Sequence, residues 1–272
     1  MKVKRRIRIK WKNLISLLIA YVAIVLIIIC SIRIVRWLLD SNSTKEQTQS
    51  LIEPTVLETA DEEIIAQEEI DKANPYWDYI KMSLIDVDIA ELKKTNSDVV
   101  GWIQLHGTNI NYPFVQTTDN QYYLTHSLNK TRNSAGWVFL DYRNDIENDK
   151  NIILYAHSRV DSTMFGTLKN ILSSNWTKNT DNYVINLVTE EESRLYQIFS
   201  IYHIPTTSDY LQIDFISDNE YRRFLDILIG RSQFNFNTTI NENDHILTLS
   251  TCYNNDKERV VLHAKLIKKK KK

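Results

Sequence analysis

Hydrophobic and polar positions divide the chain into three textures, each predicting a different kind of structure. Residues 14–32 read LISLLIAYVAIVLIIICSI, with no charge. A helix rises about 1.5 Å per residue, so this run nearly matches a hydrocarbon core of about 30 Å and predicts a membrane-spanning helix. Residues 40–74 are polar and acidic, with Glu53, Glu58, Asp61, Glu62, Glu63, Glu68, Glu69 and Asp71. They read as a partly helical stalk whose charges form a solvated face. Pro75 opens a segment with helical spacing (Trp77, Ile80, Met82, Leu84, Ile85, Ile89, Leu92), expected to pack on the domain that follows. From Val99 the texture changes to short β-rich runs: VVGWIQL (99–105), NINYPFV (109–115), GWVFL (136–140), NIILY (151–155), NYVINLV (182–188), SRLYQIFSIYH (193–203), DHILTLST (244–251) and RVVLHAKLI (259–267). Short strands broken by turn residues predict a mainly β domain, either a closed barrel or a sandwich. Two helices are expected to interrupt the strands. One covers about 164–172. The other covers 217–230, where Ser217 followed by Glu220 has the capping-box pattern.

Charge orients the first texture. Lys2, Lys4, Arg5, Arg6, Arg8, Lys10 and Lys12 precede the apolar run, and only Arg33 and Arg36 follow it closely. The positive-inside rule then predicts a cytoplasmic N-terminus and an outer, folded remainder. A cleaved signal peptide has a shorter apolar region ending in small residues, whereas this run ends in Arg33-Ile34-Val35-Arg36-Trp37. An uncleaved anchor is therefore the expectation. The predicted division is a basic tail over 1–13, the span over 14–32, the stalk over 33–75, the folded domain over 76–267 and a disordered lysine tail over 268–272.

Composition narrows the function classes. Hydrophobic residues at 43% and charged residues at 25% are ordinary for a globular domain. The net charge is −1 and no basic stripe runs through the folded part, which argues against a nucleic-acid partner. The two cysteines, Cys30 in the apolar run and Cys252 near the C-terminus, lie in segments that cannot pair. There is no CxxC, no HExxH and no zinc-ligand spacing, so a disulfide framework, a structural zinc site and a zinc hydrolase are all disfavoured. Cys252 is thus a lone thiol in an outer domain.

Its surroundings suggest chemistry. In Thr248-Leu249-Ser250-Thr251-Cys252, strand alternation puts Leu247 and Leu249 on one face and Thr248, Ser250 and Cys252 on the other. If this strand and the next pair across a loop of about seven residues, Arg259 faces Cys252. A guanidinium there suits a thiolate or an oxyanion, although a surface arginine at a strand start is the commoner situation. A thiol nucleophile also needs an acid/base partner, usually histidine. Among six histidines, His157 leaves the apolar strand 151–155 as Cys252 leaves its own, while His263 lies deeper on the Arg259 strand and His106 sits in a glycine-containing turn. A hydrolytic cysteine peptidase would use the same pair. A non-enzymatic surface barrel that binds wall polymer or a partner protein is the remaining reading.

The chain from about residue 96 to 267 resembles the class B sortases of Gram-positive bacteria. The resemblance rests on Val100-Gly101-Trp102-Ile103, Tyr112-Pro113, Gln116, Asp119-Asn120, Tyr123-Leu124, Phe139-Leu140-Asp141, Tyr155-Ala156-His157, Met164-Phe165-Gly166 and Thr248-Leu249-Ser250-Thr251-Cys252 with Arg259. Ala156 stands where the family usually has glycine, and the Cys252–Arg259 spacing is short for the family. The resemblance implies a closed β-barrel of about eight strands with N-terminal helices, an extra helix before the cysteine strand and a transmembrane anchor. It also implies a cysteine transpeptidase. Cys252 would attack the Thr carbonyl of a sorting motif on a secreted protein. His157 would protonate the leaving amine and Arg259 would hold the oxyanion. The thioacyl enzyme would pass to a cell-wall precursor amine at the membrane surface. Neither metal nor organic cofactor is implied. Substrate contacts carry over to Asn120, Leu124, Thr206, Tyr210, Leu211 and Ser250.

Overall fold

A computed structural model describes residues 11–57, 76–253 and 257–272. The basic residues at 2–10, the acidic residues at 58–71 and the loop residues 254–256 lie outside the described residues. The chain forms two compact units, divided between Ser43 and Thr44. The first is carried by helix α1 (Trp11–Gln49), whose apolar side chains are exposed along its length, with Leu17, Ile19 and Tyr21 each more than 60% exposed. It is long and apolar enough to cross a membrane and is a candidate anchor.

The second unit begins with features that hydropathy did not separate. Residues 55–56, expected in the stalk, form strand β1 (Thr55–Val56). The segment after Pro75, expected as one helix, is broken into α2 (Tyr76–Ile80), β2 (Ile85–Asp86) and α3 (Ile89–Thr95). β1 and β2 pair antiparallel, with Val56 opposite Ile85. The break has a local cause. Asp88 is an N-cap whose carboxylate accepts from Glu91 N at 2.8 Å, which restarts a helix after the extended stretch.

Eight strands then close a barrel: β3 (Val99–Leu105), β4 (Asn111–Val115), β5 (Phe139–Leu140), β6 (Asn151–Ala156), β7 (Val184–Thr189), β8 (Glu192–Pro205), β9 (Ile246–Tyr253) and β10 (Glu258–Lys271). The order around it is β10-β8-β7-β3-β4-β5-β6-β9. Closure leaves no free edge. The expected closed barrel is thus found, and the sandwich is not. Trp102, Ile103, Phe114, Leu154, Leu187, Leu249 and Leu262 fill its core, all at most 2% exposed.

Short helices decorate the barrel. The helix expected over 164–172 is only a 3-10 turn (Leu168–Leu172) followed by α4 (Ser174–Thr177). Met164 has φ +53°, outside the helical region, and Phe165 N donates instead to His157 O at 3.1 Å. Helix α5 (Asp218–Gly230) matches expectation. Its N-cap Ser217 accepts from Glu220 N, and Tyr221, Phe224, Leu225 and Leu228 form the buried stripe that an amphipathic helix presents. This stripe covers the outer face of β8 and β10 at Tyr202 and Val261 in a second apolar cluster.

The lysine run expected as a disordered tail continues β10 through Lys271. Its side chains find partners: Lys268 Nζ donates to Ile80 O and Met82 O, Lys269 pairs with Glu192, and Lys272 pairs with Asp86. The strand is held by these contacts and by pairing with β8, which local charge repulsion does not outweigh.

Candidate active site

The site is assembled by one parallel and one antiparallel pairing around β9. β6 runs parallel to β9, with Ala156 opposite Thr251. One residue further along both chains stand His157 and Cys252. On the other side, β10 runs antiparallel to β9, with Arg259 opposite Cys252. Neighbouring strands lie about 4.8 Å apart, so the backbones of all three residues meet at one end of the barrel. Cys252 lies within β9, not beyond it. The Cys252 side chain lies outside the described set.

His157 is oriented by its surroundings. Its Nε2 lies 2.8 Å from Leu124 O, at the end of the 3-10 turn Tyr122–Leu124. A carbonyl can only accept, so Nε2 carries a proton and Nδ1 is the nitrogen free to change protonation. Gly136, at φ +62°, packs beneath this arrangement. A Cβ there would meet Tyr123 O at 2.5 Å and His157 Cδ2 at 3.1 Å.

His157 and Arg259 line a cavity of about 580 Å³. All six residues expected to contact substrate, Asn120, Leu124, Thr206, Tyr210, Leu211 and Ser250, line it too. The Tyr210 hydroxyl lies 2.9 Å from Ser250 Oγ. Asn120 Oδ1 accepts from Tyr142 N at 2.9 Å. The cavity also contains residues that sequence reading did not single out as contacts: Phe139, Tyr155, Thr207, Ser208 and Thr251. Tyr155 could have been found, because strand alternation puts it on the same face as His157, two residues further on. Its hydroxyl donates to the wholly buried Asp141 at 2.9 Å, and Arg143 makes a two-pronged contact with the same carboxylate. Burial pushes the Asp141 pKa up, but the hydrogen bonds and charge of Arg143 outweigh this and hold it below the usual carboxylate range.

The competing candidates do not reach the cavity. His263 is fully buried, and desolvation, aided by the Arg231 charge, pushes its pKa down to about 3. His106 follows β3 in a turn beside Asn186 of β7, where burial lowers its pKa. Lys257, the other cation between Cys252 and the last strand, is exposed in the turn before β10 and is not among the lining residues.

The sequence model of the sortase domain matches residues 103–267. The chain belongs to the sortase family. Sortase B of Staphylococcus aureus is 36% identical over 181 residues, covering 65% of this chain and 73% of that protein. Sortase B of Listeria monocytogenes is 34% identical over 188 residues, covering 67% and 75%. Among solved structures, a Staphylococcus aureus sortase B–substrate complex superposes with a TM-score of 0.62 at 35% identity, covering 66% of this chain and 84% of that one. This sortase is therefore a cysteine transpeptidase of the B type, with a barrel and α5 as its frame.

Proposed function

We propose that Cys252 is the nucleophile, that it cleaves a sorting motif of a secreted protein after Thr, and that the acyl group passes to an amine of a cell-wall precursor peptide. One observation carries this reading: the strand register that brings His157 and Arg259 to either side of Cys252, at the mouth of a cavity large enough for a short peptide. The Cys252 thiolate adds to the Thr carbonyl carbon. The C–N bond breaks as His157 delivers a proton to the departing amine. A second amine then adds to the thioester, gives its proton to His157 and releases the thiolate. Arg259 holds the oxyanion in both halves of the cycle. Asn120, Leu124, Thr206, Tyr210, Leu211 and Ser250 hold the peptide.

In this reading the folded domain faces outward, with the basic N-terminal residues 1–13 in the cytoplasm and 14–32 in the bilayer. Tethering to the membrane that carries the acceptor raises their effective concentration.

The direct test is mass spectrometry of sorting-motif peptides incubated with the full-length protein in detergent. The expected products are a peptide ending in Thr and, when an amine is added, its amide in place of the free acid. Cleavage elsewhere, or a free acid unaffected by any amine, overturns the reading.

Arg259 gives a separate prediction. Its planar donor fork fits an oxyanion better than a point charge does. Loss of such a contact costs on the order of 3 kcal/mol, or about a hundredfold in rate. Arg259→Ala should lower turnover by about that factor, Arg259→Lys should restore part of it, and Lys257→Ala should change it little. A crippled Lys257→Ala assigns the cation to lysine instead.

A further inference from the structure

Behind the cavity lies a buried polar chain that the transpeptidation chemistry leaves unused. His263 sits opposite Thr248 in the β9–β10 register, with both side chains fully buried. Its Nδ1 lies 2.9 Å from Thr248 Oγ1 and its Nε2 lies 2.8 Å from the Tyr202 hydroxyl. Thr248 Oγ1 in turn donates to Asn151 Oδ1 at 2.6 Å. Asn151 Nδ2 then reaches Gln212 O at 2.8 Å and Tyr210 O at 3.4 Å. Those two carbonyls flank Leu211, and Leu211 O itself accepts from Arg143 Nη2 at 3.2 Å. Three consecutive carbonyls at and beside the cavity wall are therefore satisfied by the side chains of Asn151 and Arg143, not by strand pairing.

The direction of this chain follows from the groups in it. Carbonyls only accept, so the Asn151 amide nitrogen faces them and its oxygen faces Thr248. That oxygen takes the single Thr248 hydroxyl hydrogen, so Thr248 must accept from His263 Nδ1–H. A ring kept neutral by burial then has a bare Nε2, to which Tyr202 donates. Phe199, Tyr202 and Tyr210 pack around the imidazole with ring centroids 5.9, 5.5 and 6.5 Å away, which prevents it from turning. The far end returns to the same wall. The Arg231 guanidinium lies 5.8 Å from the Tyr202 ring centroid and pairs with Asp209, the first residue of the 3-10 turn that carries Tyr210 and Leu211.

We infer that His263 is a positioning residue which, through Thr248 and Asn151, sets the Tyr210–Leu211 wall for peptide recognition. This rests on the reading of the cavity as the peptide site. The chain acts on where the wall stands and not on the reacting atoms, so its loss should appear in KM and spare the chemical step.

The test compares near-isosteric variants of the full-length protein in detergent, with KM and kcat for sorting-peptide cleavage and the alkylation rate of Cys252 as readouts. Thr248→Val removes the hydroxyl that joins the two halves of the chain. It should raise KM about tenfold, the factor expected for one buried hydrogen-bond link, with kcat and alkylation within about twofold. Thr248→Ser restores the hydroxyl and should return KM towards the parent value. His263→Phe keeps the volume and should behave as Thr248→Val does. Histidine ¹⁵N spectra, assigned by the signals lost in His263→Phe, should show a neutral Nδ1–H tautomer. Equal KM values for Thr248→Val and Thr248→Ser, or an Nε2–H tautomer, overturn the inference. Leu211→Ala separates the two levels: if it raises KM while Thr248→Val does not, only the chain is wrong, and if it leaves KM unchanged, the peptide-site reading falls and the inference with it.

Discussion

Cys252→Ala in the full-length protein should give no peptide cleavage and no thioacyl adduct, a fall on the order of 10⁴-fold or more. The expectation follows from the chemistry of the step. An alanine methyl cannot add to a carbonyl, and the two hydroxyls that precede it on β9 are engaged elsewhere: Ser250 Oγ is hydrogen-bonded to the Tyr210 hydroxyl and Thr251 Oγ1 donates to Ala156 O at 2.7 Å. Neither hydroxyl has a histidine nitrogen against it, which activation of an oxygen nucleophile requires. Intact mass after incubation with substrate reports the adduct, and circular dichroism checks the fold. The β9 backbone is paired on both sides, so the substitution should leave the barrel unchanged. Turnover by Cys252→Ala sinks the nucleophile assignment and the mechanism built on it.

His157→Ala should reduce turnover by about 10²- to 10⁴-fold, the range typical for removal of a proton-transfer group. Two consequences separate this from a loss of packing. First, the rate of Cys252 alkylation should fall, because the group that takes up the thiol proton is gone. Second, a substrate with a better leaving group than an amine should be less affected, since it leaves without a proton. The Leu124 carbonyl contributes here as well: by holding a proton on Nε2 it presents Nδ1 as the exchanging nitrogen. Normal turnover in His157→Ala, together with a collapse in His263→Ala, reassigns the acid. The buried, neutral state of His263 argues against that reassignment.

The two patterns that sequence reading uses, period 2 along strands and long apolar runs, are local. What depended on them was legible: the apolar run in α1, the eight β segments, and the buried stripe of α5 behind its Ser217 cap. The site was partly legible for the same reason, because a thiol and a histidine at strand ends, and an arginine at a strand start, are local facts. The motif resemblance joined them. Tertiary structure decided the remainder. The parallel pairing of β6 with β9 links residues nearly a hundred positions apart, and no local period encodes it. The face of β9 that carries Thr248 and Ser250 reads as polar, yet both side chains are buried, because α5, Tyr202 and Tyr210 cover that side. The lysine run reads as a disordered tail from its charge alone, but β8 supplies a pairing partner and Ile80, Glu192 and Asp86 supply acceptors. In each case hydrophobicity and alternation specify what a segment prefers by itself, while pairing partners and coverage come from distant parts of the chain and exist only once the barrel has closed.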